Sequence, residues 1–152
     1  MQLLFVCTGN TCRSAMAKAI AQKFINDNPL QYSSHVVDSA GLMCAGPSPA
    51  SFNAVIIAEQ NGCDLSEHAA KQISESLLTK ADYIFVMTRG HKQLLEQIAP
   101  QYQDKVFLLN AYAEGNPDAT DIIDPYGGDV AIYQQCFELL QKSIAQILEK
   151  LE

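Results

Sequence analysis

The segment Cys7-Thr8-Gly9-Asn10-Thr11-Cys12-Arg13-Ser14 concentrates the chemistry that can be read from this chain. A cysteine closes an apolar run, and an arginine follows six positions later. Backbone N–H groups in such a turn can curl into a nest that receives an anion. A helix opening at Ser14 adds unpaired N–H groups and the positive end of its dipole. The planar fork of Arg13 suits two oxygens of a phosphate. A cysteine held in such a field ionises more readily than a free thiol, and the thiolate is the nucleophilic form. Cys7 on the floor of a phosphate cradle is therefore a candidate nucleophile toward phosphorus. Gly9 is expected to supply a backbone conformation that other residues resist. The segment is not a Walker loop, because no Gly-Lys-Ser/Thr follows, and no Gly-x-Gly-x-x-Gly fingerprint is present.

The surrounding elements must place this turn at the edge of a sheet. Leu3 to Val6 is a continuous apolar run, as expected of a strand covered on both faces. Met16, Ile20 and Phe24 mark the buried stripe of the helix after the turn, which Asn28-Pro29 ends. Further strands are expected at His35 to Asp38, Asp82 to Met87 and Lys105 to Leu109. Helices are expected at Pro47 to Asn61, Arg89 to Ile98 and Asp129 to Leu151, with Ala111 to Gly127 as loop. The alternation predicts an α/β fold of three layers: a central four-stranded parallel sheet flanked by helices on both faces. Ligands in such sheets bind beyond the carboxyl ends of the strands, which is where the Cys7 turn falls.

The 152 residues fit one domain spanning 1–152. A net charge of −7 argues against a nucleic-acid or anionic-membrane surface, since both need dense Lys and Arg. No apolar run approaches the ~20 residues of a membrane span, and no basic stretch leads into a signal-peptide core. The five cysteines, Cys7, Cys12, Cys44, Cys63 and Cys136, are odd in number and scattered, which points to a reducing, cytoplasmic setting. Their spacing suggests no metal site, and no cofactor is expected.

The Cys7–Ser14 segment closely resembles the signature Cys-x-Gly-Asn-x-Cys-Arg-Ser of the low-molecular-weight protein tyrosine phosphatase family. Further blocks follow in that family's order: Asp38-Ser39-Ala40-Gly41, Ser66-Glu67-His68-Ala69-Ala70-Lys71-Gln72, Asp82-Tyr83-Ile84 with Met87, and Asp124-Pro125-Tyr126. The resemblance implies a metal-free, two-step reaction. Cys7 would form a phosphocysteine, with Arg13 and the Thr8–Cys12 amides stabilising the phosphoryl oxygens. Asp124 would protonate the leaving group and then, as carboxylate, activate water. Asn10, Ser14, Ser39 and His68 match the family's supporting polar network, with Ser14 Oγ expected on the Cys7 sulfur. Phosphorylated proteins would be the substrates, inorganic phosphate the product, and the chain a monomer.

Thr11 separates the subclasses. Phosphotyrosine enzymes of the family usually carry Ile there, whereas members acting on phosphoarginine carry Thr. Asp104-Lys105-Val106-Phe107, Asp124-Pro125-Tyr126-Gly127-Gly128 and the short segment after Gly41 also resemble the arginine-phosphatase branch. Met43-Cys44-Ala45 lacks a large aromatic, leaving Tyr126 as the aromatic expected at the pocket mouth. Two departures are Ala15, where Pro is common, and Ala70-Lys71 in place of a basic pair. Cys12, beside Cys7, could trap an oxidised Cys7 as a reversible disulfide. The alternatives are a tyrosine phosphatase proper, a thioredoxin-coupled arsenate reductase, and a non-catalytic oxyanion-binding or redox-sensing module. The reductase needs two more cysteines near the third strand, and Ala81 to Leu95 contains none. A mere binding module needs neither Asp124 nor Ser14.

Overall fold

A computed structural model describes residues 1–151. The first strand, β1 (Gln2–Cys7), is central because its apolar residues face both ways. Leu3, Phe5 and Cys7 pack in one apolar cluster, and Leu4 and Val6 in another on the opposite face. This alternation is the period-2 geometry of a strand buried on both sides. β1 pairs in parallel with β2 (Val36–Gly41) on one edge and with β3 (Tyr83–Val86) on the other, and β3 pairs in parallel with β4 (Val106–Leu108). The order β2-β1-β3-β4 puts a switch point between β1 and β3. There the connections leave in opposite directions and open a crevice beyond the carboxyl ends of both strands.

Helix α1 (Arg13–Asp27) follows the Cys7 turn, and α2 (Pro29–Tyr32) is a single turn started by the proline that stops α1. Met16 and Ile20 are buried as their spacing predicts, and Ala15, Ala17 and Ala21 are buried with them. Those small side chains let α1 fit between the sheet and the long helix α7 (Val130–Lys150). α7 buries Tyr133, Phe137, Leu140, Ile144 and Ile147 at helical spacing. Asp129 caps it by accepting from Ile132 N at 3.0 Å. Full burial of each such apolar side chain contributes roughly 1.5–3 kcal/mol.

Helix α3 (Phe52–Gln60) starts five residues later than the pattern predicts. Pro47 and Pro49 each push the preceding residue toward extended backbone, so the chain runs without helix until Ser51. The opposite face of the sheet carries α4 (Glu75–Lys80) and α5 (Arg89–Ile98). The sequence reading missed α4, whose Ser74 side chain accepts from Leu77 N at 3.2 Å. A 3₁₀ segment (Pro100–Lys105) leads into β4. The stretch expected as loop from Ala111 begins instead inside α6 (Leu109–Glu114), which Gly115 stops at φ 65°. Loop structure then runs from Gly115 to Asp129.

Candidate active site

The turn between β1 and α1 is the floor of a pocket of about 210 Å³, lined by Cys7, Thr8, Gly9, Thr11, Cys12, Arg13, Asp124 and Tyr126. Arg13 and not Ser14 is the first helical residue, so its guanidinium sits at the positive end of α1.

Left-handed backbone occurs in the turn, but at Asn10, with φ 59°, and not at Gly9. Such a conformation is costly for a residue with a side chain and persists only where its surroundings over-determine it. Asn10 is fully buried, and each of its side-chain and carbonyl groups is tied. Asn10 Nδ2 donates to Ser14 Oγ at 2.7 Å, and Asn10 Oδ1 accepts from Lys71 N at 3.0 Å. The carbonyl of Asn10 accepts from His68 Nε2 at 2.6 Å. Burial lowers the pKa of His68, so the imidazole serves as a neutral donor there. The steric freedom the turn requires lies instead at Gly41, at the end of β2. A Cβ there would stand 2.6 Å from the Thr8 carbonyl oxygen and 3.0 Å from the Gly9 carbonyl carbon.

Ser14 Oγ lies 2.9 Å from Cys7 Sγ and 3.4 Å from the Ala40 carbonyl. Because Asn10 already donates to this oxygen, the single hydroxyl hydrogen is free for the sulfur, its nearer partner. The order Lys71 N–H, Asn10, Ser14, Cys7 is thus a chain of donors ending on the thiol. A chain of this kind aims a hydrogen-bond donor at the sulfur from beneath the pocket floor. Ser39 is buried on β2, whose register sets it beside Phe5. Its amide N–H goes to Asp38 Oδ1 at 2.8 Å. Asp38 also takes ion pairs from Lys71 at 2.6 Å and Lys18 at 3.2 Å.

Arg13 is 5% exposed and spans floor and roof. Its Nη1 donates to the Ile122 carbonyl at 3.1 Å, and its Nη2 lies 3.4 Å from Asp124 Oδ2. Its Nε is buried and has no hydrogen-bond partner among the described residues. Asp124, at 50% exposure, is the roof carboxyl facing Arg13, and its Oδ1 accepts from Tyr126 N at 3.0 Å. Tyr126 lies at the mouth and is largely exposed. Cys12 also lines the pocket, and its Sγ lies 2.8 Å from Ser51 Oγ and 3.3 Å from Tyr133 OH. Burial chiefly, then the neighbouring Cys12, pushes the Tyr133 phenol up to about 12, so it is a hydroxyl at neutral pH.

Several supporting residues were not singled out by the sequence reading. Arg89, the first residue of α5, grips the roof loop. It donates to Asp121 Oδ1 at 2.9 Å and to the Pro117 and Ala119 carbonyls at 2.9 and 2.7 Å. Asn110 and Ser143 anchor the same loop from below, through Asn110 Nδ2 to the Thr120 carbonyl at 2.8 Å. His91 meets Thr8 Oγ1 at 2.8 Å. For Arg89 and His91 the signal is position, since they open the helix that leaves the carboxyl end of β3, beside the carboxyl end of β1. Among the described residues, no cluster of His, Cys, Asp and Glu is arranged to hold a metal ion.

The pocket therefore sets a thiol, an arginine fork and a carboxyl around one anion-sized space. The low molecular weight phosphotyrosine protein phosphatase model matches residues 2–152. A Bacillus subtilis protein-arginine-phosphatase is 34% identical over 152 residues, covering 100% of this chain and 97% of its own length. The PtpB low molecular weight protein-tyrosine-phosphatase of Staphylococcus haemolyticus is 37% identical over 151 residues, covering 97% of each chain. A solved mutant of the YwlE arginine phosphatase with a phosphorylated active-site serine superposes with a TM-score of 0.91 at 34% identity, covering 99% of this chain and 95% of that one. Matched along its whole length in sequence and in fold, this chain belongs to the low molecular weight phosphotyrosine protein phosphatase family.

Proposed function

We propose that this chain is a cysteine-dependent phosphoprotein phosphatase acting on phosphoarginine. The observation that carries the reading is the shared pocket: Cys7 on its floor with Ser14 on the sulfur, and Arg13 facing Asp124 across it. In the first step Cys7 sulfur bonds to phosphorus as the bond to the leaving guanidine nitrogen breaks, and Asp124 gives that nitrogen a proton. In the second, water attacks the phosphocysteine, its proton passes to the Asp124 carboxylate, and inorganic phosphate leaves with release of the thiolate. One carboxyl thus serves as acid and then base. Arg13 moves from Asp124 to the phosphoryl oxygens when substrate enters, a role for which its unpartnered Nε is available.

Thr11 supports phosphoarginine as the substrate. It lines the pocket with a short polar side chain, leaving room for a branched guanidinium and offering no apolar wall to a phenyl ring. The B. subtilis relative's name points the same way. Tyr126 supports the second reading, phosphotyrosine, because an exposed ring at the mouth can stack on an aromatic substrate. Cys12, lining the same pocket, is the group we assign to trap an oxidised Cys7. Among the described residues no helix is long and apolar enough to cross a membrane. With its free cysteines, the chain fits a single-domain monomer working in the reducing cytoplasm.

The deciding experiment compares wild type with Thr11→Ile on phosphoarginine and phosphotyrosine peptides. Wild type is expected to prefer phosphoarginine, and the substitution to move the kcat/KM ratio by about tenfold or more toward phosphotyrosine. Wild type already faster on phosphotyrosine would overturn the subclass. Turnover of neither substrate would overturn the phosphatase reading.

A further inference from the structure

His91 lies in the first turn of α5 and is 8% exposed. Its backbone N–H is held by Thr88 Oγ1 at 3.1 Å, which fixes where the ring begins. Ring Nε2 reaches across to Thr8 Oγ1 at 2.8 Å, and Nδ1 is buried with no partner among the described residues. Thr8 is itself held from the opposite side, its carbonyl accepting from Met43 N at 2.9 Å, and it lines the pocket with Cys7 and Arg13. Burial, then the nearby Arg13 charge, lowers the His91 pKa to about 4, against weaker opposing pulls from Asp124 and Asp121, so the ring is neutral at pH 7.

A neutral ring has two tautomers, and they do different things to Thr8. With the proton on Nδ1, the Thr8 hydroxyl hydrogen is spent on Nε2, and only oxygen lone pairs face an anion. With the proton on Nε2, the ring donates to Thr8 Oγ1 and the hydroxyl hydrogen is left for the pocket. The second arrangement also avoids an orphaned buried N–H at Nδ1. We propose that His91 is a positioning residue that donates from Nε2 to the Thr8 hydroxyl and so turns that hydroxyl into a further hydrogen-bond donor to the bound phosphoryl group. The inference rests on the phosphatase reading of the pocket.

The test is a double-mutant cycle with Thr8→Val, His91→Leu and both together, plus His91→Gln, whose amide N–H can stand in for Nε2–H. Calorimetry reads inorganic phosphate affinity, and p-nitrophenyl phosphate reads kcat/KM. Thr8→Val and His91→Leu are each expected to weaken phosphate binding about ten- to a hundredfold, the scale of one hydrogen bond to a charged group. The double variant should be no weaker than Thr8→Val, and His91→Gln should regain most of the loss. Losses that multiply in the double variant, or unchanged phosphate affinity in Thr8→Val, would overturn the inference. If His91→Leu does not fold, Thr8→Val and His91→Gln still decide: a well-folded His91→Gln as weak as Thr8→Val counts against it. A protein that binds phosphate but cleaves no ester would remove the phosphatase reading while leaving the cycle readable in affinity. One that binds no phosphate defeats both.

Discussion

The two loops that meet over the pocket are built on opposite principles. The floor, Cys7 to Arg13, is short and mostly buried, and its Cys7, Thr8, Thr11 and Cys12 carbonyls are each held by a backbone N–H from outside the turn or from the helix after it. The left-handed Asn10 alone is held by Ser14, Lys71 and His68. The roof, Gly115 to Gly128, is longer and more exposed, and hangs from a few anchors: Arg89, Asn110, and the Ile122 amide on the Met87 carbonyl at 2.9 Å. The contrast matches the two jobs. Stabilising charge on phosphoryl oxygens requires donors fixed before the substrate arrives. An acid that must give and retake a proton, and admit a substrate between, works from a segment able to shift.

Breaking the floor should therefore cost most. Gly41→Ala places a methyl 2.6 Å from the Thr8 carbonyl oxygen, in a wall made of backbone that cannot step aside. The turn must move by several tenths of an ångström. Displacements approaching 1 Å cost on the order of 10²-fold in rate. We expect kcat/KM to fall by roughly that factor and inorganic phosphate to bind more weakly, read by steady-state kinetics and phosphate inhibition. A variant with wild-type phosphate affinity would mean the floor is more pliant than its hydrogen bonds suggest.

Loosening the roof should act differently. Arg89→Met keeps a long side chain but removes the donors to Asp121, Pro117 and Ala119. The floor is untouched, so phosphate inhibition should stay within about twofold of wild type while kcat falls about tenfold. Under the proposed mechanism, loss should be greater for substrates with poor leaving groups, which would depend most on protonation by Asp124. Equal losses in kcat and phosphate affinity would erase the distinction between the loops.

The same division explains what was legible in the chain. The β1–turn–α1 unit could be read because it is contiguous: an apolar run, a glycine-containing turn with Cys and Arg, and a helix stripe stand in one short stretch. Asp124 was legible only by resemblance, since Asp-Pro is ordinary turn punctuation. Placing left-handed backbone at Gly9 followed intrinsic steric freedom. The structure uses Asn10 because side-chain hydrogen bonds from remote segments outweigh the cost. The Thr8–His91 contact joins residues 83 positions apart, and no local pattern announces it. α6 was lost to the loop because its six residues carry no side-chain cap.

A last effect lies where floor and roof meet, and it appears in stability rather than in rate. His91 faces Thr8 of the floor, feels Arg13 of α1, and is near Asp121 and Asp124 of the roof. Its pKa falls from 6.5 to about 4 on folding, burial being the largest cause. The unfolded chain therefore takes up a proton that the folded one refuses. Stability from the neutral ring is complete above about pH 6.5 and drains away as pH falls toward 4, with no further loss below. The window is worth roughly 2–3 kcal/mol. In urea unfolding at pH 7 and pH 4.5, wild type should lose more stability than His91→Gln, by about 2 kcal/mol. The difference isolates this ring because the carboxylates and His68 titrate in both proteins. Parallel losses would show that the ring accepts its proton without strain, placing it with the yielding roof and not with the fixed floor.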